Sequence, residues 1–575
     1  MKTKSSGIHV ATVSKKYKDK VYNCHLLRRS YREGGKVRSE TLANLSMLPD
    51  QVIAVLKLSL SGESMVPARE VAQKASSLPA GHVRAVLGTM KKLGIPELLA
   101  SRDSRQRSLV LGMIAERVMS PASKLGTVRS WSSSTLGAEL GVQDADADEL
   151  YDALDWLLAA QPRIEKKLAS RHLAEGGLAL YDTSNSMYEG HTCPLAQIGH
   201  DKDGRHGASI IGYGLLTDQE GRPVAMEVYP GNVGDPATVT EQIIKVRTRF
   251  GLNKVVLVGD RGMLTSARIS SFKENPGMGW VTALRTGDIR KLVNSGALQL
   301  SLFDQVNLAE IQSPDFPGER LVACFNPLLA DERRRKRGEL LAATEKLLTT
   351  LSKEVEKRTL TPMADAEIGM KLGAILPRYK MAKHFVTQIS DGTFAWSRNE
   401  ESICQEEGLD GIYVIRTSES AGQISTADTV RTYKLLAQVE QAFRCMKGID
   451  IRVRPIFHRT EDHVRAHFFL CMLAYYVEWH MRRALAPMLF QDECVPADRQ
   501  VRDPVAKPEA SASAKAKKSR KTTADGLPVH SFHTLVEHLA AMTRITYQVA
   551  DTEATWNQYS KSTPVQQKAF ELLDV

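Results

Sequence analysis

Three acidic residues stand where this chain could mount a reactive oxygen. The run "LALYDTSNS" (178–186) carries apolar Leu178 to Tyr181 into Asp182 and then into small hydroxyl residues. The run "VVLVGDRGM" (255–263) leads in the same way to Asp260. Asp favours turns and helix N-caps through its side-chain oxygen, so either acid alone also reads as a turn. Two strands of one α/β layer that each end in Asp make a stronger pattern, because such sheets build their sites at the carboxyl ends of strands.

The third acid lies in "YKLLAQVEQAFRCMK" (433–447). At about 100° per residue, Leu435, Leu436, Val439, Phe443 and Met446 form one apolar stripe. Tyr433, Glu440 and Lys447 are seven apart and share a face bordering that stripe, with Arg444 one turn beyond Glu440. An ordinary amphipathic helix with a solvated edge has the same pattern. Together, Asp182, Asp260 and Glu440 make a hard oxygen donor set of the kind Mg²⁺ prefers, with Mn²⁺ as a substitute. Two such ions roughly 3.5–4 Å apart activate the attacking oxygen and stabilise the leaving one in phosphodiester transfer.

These side chains need a scaffold, and the pattern along the chain predicts one. Residues 1–50 read as a β-hairpin region that turns at Glu33-Gly34-Gly35 and carries Arg28, Arg29, Arg32, Lys36 and Arg38 near its tip. Residues 51–175 read as a helical DNA-binding region, broken at Pro67, Gly81, Pro96, Pro121 and Gly141. Strands at 177–182, 207–216, 223–229 and 254–260, with helices at 236–250 and from 264, imply an α/β layer over 176–275. Residues 276–426 hold five strand candidates and one charged helix, 328–357, and read as a β-rich insertion. The α/β pattern resumes over 427–490 with helices at 427–447 and 460–485. Residues 500–526 read as a disordered basic linker and 527–575 as a helical tail suited to oligomer contacts.

Bulk properties narrow the class. The 575 residues carry 77 Lys plus Arg against 66 Asp plus Glu, a net charge of +11 that suits a polyanion partner. Seven scattered cysteines without a CxxC pair argue against a disulfide framework. The start, MKTKSSGIHV, has no apolar run behind its lysines and does not read as a signal peptide, and the apolar run 468–477 is too short to span a bilayer. A cytoplasmic, nucleoid-associated protein is expected, without membrane contact.

On these motifs the chain resembles a bacterial insertion-sequence transposase of the DDE type. "LYDTS", "GLLTDQEGRPVAMEVYPGNVGDPATV", "VLVGDRGM" and "YKLLAQVEQAFRCMK" carry the likeness. The branch signature Y-x2-R-x3-E-x6-K is met at Tyr433, Glu440 and Lys447, while Leu436 replaces the arginine. The resemblance implies a ribonuclease-H-like core interrupted by a β-rich insertion domain. It implies Asp182, Asp260 and Glu440 as catalytic and metal-holding residues, with Tyr433 and Lys447 as DNA contacts. The expected function is binding of terminal inverted repeats in double-stranded DNA, metal-dependent cleavage, and strand transfer to a target, with a hairpin route open and a homodimer in the end complex. A transposase-derived DNA-binding protein without catalysis, or a metal-dependent nuclease, remains the alternative.

Other residues have weaker patterns. Arg444, His458 and Arg459 are read as DNA contacts, with Arg444 or Arg431 in place of the missing signature arginine. His463 and His467 sit four apart as a metal pair without a third ligand. Asn232 in "GNVGD" either lines the site or makes a turn. "ERRRKRGE" (332–339) is either a solvated face or a phosphate-contacting surface. Trp280 and Trp396 are either core residues or a platform for a displaced base.

Overall fold

The computed structural model describes residues 7–17, 20–34, 36–63, 72–204, 207–493, 502–506, 509–549 and 553–575. The chain divides into two units, Met1–Ser77 with Arg544–Ser560, and Leu78–Thr543 with Lys561–Val575.

The first unit is built on alternating strands. β1 (Ile8–Tyr17), β2 (Lys20–Glu33) and β3 (Lys36–Asn44) form an antiparallel sheet. Glu33 pairs Lys36 across the tight turn expected at Gly34, which takes φ +58. The hairpin is thus extended by a third strand. A helix, Asp50–Leu60, follows. β4 (Ala72–Pro79) falls in a stretch expected to be helical; it lies at one edge of a second sheet.

The second unit holds the site. Its labelled helices are α1 (Arg105–Met119), α2 (Ala147–His172), α3 (Asp235–Ile244), α4 (Pro327–Lys357), α5 (Thr426–Lys434), α6 (Leu436–Lys447) and α7 (Glu461–Leu485). Its strands are β5 (Gly177–Met187), β6 (Gln197–Ile198), β7 (Ser209–Asp218), β8 (Pro223–Pro230), β9 (Val255–Val258), β10 (Met278–Ala283), β11 (Leu308–Ile311), β12 (Arg320–Phe325) and β15 (Ile412–Thr417), all in one mixed sheet. β13 (Phe385–Ser390) and β14 (Thr393–Arg398) form a separate hairpin.

The order around the acids is β8–β7–β5–β9–β10. β5, β7 and β8 are antiparallel neighbours, while β9 runs parallel to both β5 and β10. Val255–Val258 are buried, as a strand covered on both faces requires. α7 is buried along most of its length, from Val464 through Glu478, which accounts for its apolar run. Among the described residues no helix is long and apolar enough to cross a membrane.

Several expectations change. The run "GWVTALRT" (279–286) is one of the five strand candidates in the stretch read as the insertion, yet β10, which it overlaps, is a direct neighbour of β9. β15, β12 and β11 extend the same sheet beyond it. α4, the helix Asp365–Ile375 and the β13–β14 hairpin do form a cluster of their own, around Leu341, Leu348, Ile368 and Phe385. The basic linker is not featureless. Ala512–Arg520 is helical with Ser511 as its N-cap, and Lys517 is buried against the carbonyls of Ala486 and Gln491. In the tail, helices Phe532–Ala540 and Pro564–Leu573 bury Leu535, Leu539, Ala569 and Leu573 in the main core, so these faces are not free for oligomer contacts. A strand pair, β16 (Thr543–Val549) and β17 (Thr555–Tyr559), lies between them in sequence.

Candidate active site

The two aspartates are positioned by neighbouring strands. Leu180 pairs Val258 across the parallel β5–β9 ladder. The ladder ends there: Asp182 follows two residues on within β5 and Asp260 two residues beyond the end of β9, and both line the same cleft. Asp182 does not end its strand: β5 continues to Met187, paired with β7 throughout, and only its partner β9 stops. The carboxylate therefore stands on continuous sheet beside the gap β9 leaves. Asp260 lies in a turn, with its carbonyl accepting from Met263 and Leu264 and its Oδ2 from Gly262 N at 3.4 Å. The turn reading of that residue holds.

Glu440 arrives from above. α6 buries Val439, Ala442, Phe443 and Met446, with the Phe443 ring 5.6 Å from Tyr213 of β7. That packing leaves Glu440 exposed toward the cleft. The expected single helix 427–447 is two, separated at Leu435. Tyr433, at the end of α5, donates its hydroxyl to Asp260 Oδ1 at 3.3 Å.

A cleft of about 980 Å³ contains Asp182, Asp260, Glu440, Tyr433, Arg444 and Lys447 together. His458 and Arg459 are not among its lining residues. The His458 ring instead packs 4.9 Å from that of His467. Arg431 is tied to Asp428 at 2.9 Å and to the Arg502 carbonyl at 3.1 Å, so it does not fill the signature position in the cleft; Arg444 is present there. His463 pairs Asp155 at 3.3 Å and His467 Nε2 donates to the Val453 carbonyl, so the two histidines do not converge on one ion. Trp280 is 3% exposed under Arg416, and Trp396 is partly buried against Phe385. Of the cationic run 333–337, Arg337 is buried on Asp410, while Arg334 and Arg335 pair with acids.

Lys202, Asp203, Asp235 and Arg454 are charged residues of the cleft that the sequence did not single out. Lys202 donates to the Thr183 carbonyl at 2.7 Å and pairs Asp235 at 3.1 Å, linking β5 to the start of α3. Asp235 lies three residues beyond Asn232, which does not line the cleft. Asp203 binds Arg454 at 2.7 Å and stands 3.8 Å from Lys447. Only the acid-bearing "GNVGD" offered a signal for any of them.

Burial pushes the Asp182 carboxyl up to about 6, opposed mainly by Lys202 and by the Thr183 N–H, with Asp260 and Asp235 adding to the rise. Burial likewise raises the Tyr433 hydroxyl, assisted by Asp260, and lowers the Lys447 ammonium. Crowded carboxylates, one of them costly to ionise, make a donor set that a divalent cation would relieve, so the residues fit such an ion. Among the described residues, the one group whose ligand atoms lie within 4.8 Å of one another is Cys445, Asp450 and Glu478, not the cleft trio, and Arg482 already supplies that group's positive charge.

The raised Asp182 value makes a stability prediction. The metal-free fold holds that proton more tightly than the unfolded chain does. Wild-type stability therefore falls as pH rises from about 4, the free-carboxyl value, to about 6. Asp182→Asn cannot ionise and escapes that loss. Denaturant midpoints across this window should diverge in favour of the variant as pH rises; parallel curves would show that Asp182 titrates normally.

Two family models match the chain: an IS1634 family transposase N-terminal domain over residues 10–67, and a transposase DDE domain over 196–477. The second includes Asp260 and Glu440 and begins after Asp182. Among curated proteins no match is found. A solved piggyBac transposase synaptic complex with hairpin DNA is 8% identical, covers 80% of this chain and 76% of its own, and has a TM-score of 0.34, too low to carry an argument. DDE transposase domains use divalent metal ions. With both its N-terminal strands and its acid-lined core matched to transposase domains, this chain belongs to the insertion-sequence DDE transposases and is a DNA transposase.

Proposed function

We propose that Asp182, Asp260 and Glu440 are the acids of the catalytic centre and that they hold Mg²⁺, or Mn²⁺ in its place. The observation that carries this reading is one cleft lined by Asp182 of β5, by Asp260 in the turn after β9 and by Glu440 of α6. The order β8–β7–β5–β9–β10, antiparallel through β5 and parallel beyond it, supports a ribonuclease-H-like core. The elements between β10 and α5 are then the insertion, part of which continues the core sheet. Tyr433, Glu440 and Lys447 support the signature branch despite Leu436.

When bound, the metal supplies activation of the attacking oxygen and stabilisation of the leaving oxygen. The chain does the rest. Tyr433 fixes the Asp260 carboxylate, and Lys202 ties β5 to α3 beside Asp182. Lys447 and Arg444 offer positive charge to the DNA backbone. The substrate is double-stranded DNA carrying the terminal inverted repeats of the element, cut at each end and joined to a target, by way of a hairpin in the route favoured for a core with such an insertion. A homodimer would bring two ends together.

Incubating the protein with DNA that carries its element's own flanking ends, with Mg²⁺, should give nicked and then hairpin or joined products on a denaturing gel. Absence of any cleavage would return the chain to DNA binding alone. Lys447→Ala should slow cleavage roughly tenfold, the loss of about 1.5 kcal/mol for one charge-assisted phosphate contact, with metal affinity unchanged. An unaltered rate would remove Lys447 from the substrate path.

A further inference from the structure

A second cleft, of about 370 Å³, lies next to the first, and Arg454 lines both. Its other lining residues include Arg117, Lys124, Arg452, His458 and His467, and none carries a carboxylate. Arg117 and Lys124 are 8% and 6% exposed. Neither has a carboxylate partner within 4 Å among the described residues. Arg117 is held rigidly, donating to the carbonyls of Ala122 at 3.1 Å and Arg452 at 3.2 Å.

Arg117 acts electrostatically on the buried Glu116 carboxyl, while buried Lys124 has no carboxylate within 4 Å and is costly to keep charged unless something satisfies it. Burial, aided by the Arg117 charge, pushes the Lys124 ammonium down to about 7. His467, 4% exposed, gives its Nε2–H to the Val453 carbonyl, so its buried Nδ1 is an acceptor lone pair and adds no positive charge to the cleft. At the rim, Arg452 is exposed and Phe457 is 63% exposed. With Arg117, Lys124, Arg452 and Arg454 in its lining the cavity is charged for an anion, and it shares Arg454 with the acid cleft.

We infer that this cleft binds a backbone phosphate of the DNA strand that passes from the acid cleft across Arg454, with Lys124, Arg117 and Arg452 as its cations. The inference rests on the transposase reading of the acid cleft. It differs from that reading in placing a phosphate contact on residues that touch none of the three acids.

The test is binding to a duplex carrying the element's own end, measured across a salt series. Each phosphate neutralised contributes about 0.9 to the slope of log affinity against log salt. Lys124→Met should reduce the magnitude of the slope by about one and weaken low-salt binding roughly tenfold. The exposed Arg452→Ala should act in the same direction and leaves the core untouched, so it decides the matter even if Lys124→Met fails to fold. A neutral methylphosphonate, scanned along the strand, should weaken wild type at one position near the cleaved bond and cost Lys124→Met nothing there. Slopes equal to wild type in both variants, or methylphosphonate losses that add to the substitutions at every position, would overturn the inference while leaving the transposase reading intact. Failure of wild type to bind the end at all would overturn both.

Discussion

Asp182→Ala, Asp260→Ala and Glu440→Ala should each reduce end cleavage by at least about a thousandfold, the equivalent of roughly 4 kcal/mol of lost metal-borne stabilisation. Binding of the same DNA should persist in all three. The reason is placement: Asp182 on β5, Asp260 in the turn after β9 and Glu440 on α6 line one cleft. Asp260 and Glu440 are exposed and Asp182 is half-buried at the cleft, so their removal should not unfold the chain. Asp182→Ala even removes a carboxyl that burial makes expensive to ionise. Cleavage rates on gels, paired with binding isotherms, separate the outcomes. Normal cleavage by any one variant would strike that residue from the trio.

The largest effect on stability is expected away from the site, at Glu165→Ala. Glu165 is fully buried on α2 and accepts from Arg249 at 2.7 Å, from Gln161 at 2.8 Å and from the Met226 amide of β8 at 3.1 Å. Lys245, also buried, stands 3.8 Å away and pairs Glu227. The carboxylate thus joins α2, β8 and the turn after α3 behind the sheet that carries the acids. Removing one member leaves buried charge and an unpaired amide, a loss of about 3–5 kcal/mol. Glu165→Gln retains acceptors for the amide and should fall between the two. Denaturant unfolding of the variants measures this, and a loss below about 1 kcal/mol would show that the network relaxes freely.

What was legible in the sequence follows from what is local. The apolar runs into Asp182 and Asp260, and the face shared by Tyr433, Glu440 and Lys447, are short-range patterns, and the structure brings all five residues to one cleft. Which strand neighbours which is long-range. The run at 278–283 looks like its neighbours in composition, and only its ladder with β9 places it in the core sheet. Lys202, Asp203, Asp235 and Arg454 come from loops and element ends with no periodicity, so pairing alone reveals them. The Ala/Lys/Ser segment after residue 509 has few apolar residues, yet Ala and Lys are good helix formers, and Ser511 caps the helix they make. The cationic run on α4 was ambiguous for a related reason: charge count does not show that Arg337 is spent on Asp410.

The central claim is that the divalent ion sits among Asp182, Asp260 and Glu440, and localised cleavage of the polypeptide tests it most directly. Fe²⁺ replaces Mg²⁺ in the purified protein, and ascorbate with peroxide generates radicals that cut the backbone close to the ion. The account predicts fragments ending near residues 182, 260 and 440, suppressed by excess Mg²⁺. Fragments ending near residues 445, 450 and 478, or no specific fragments at all, would contradict it.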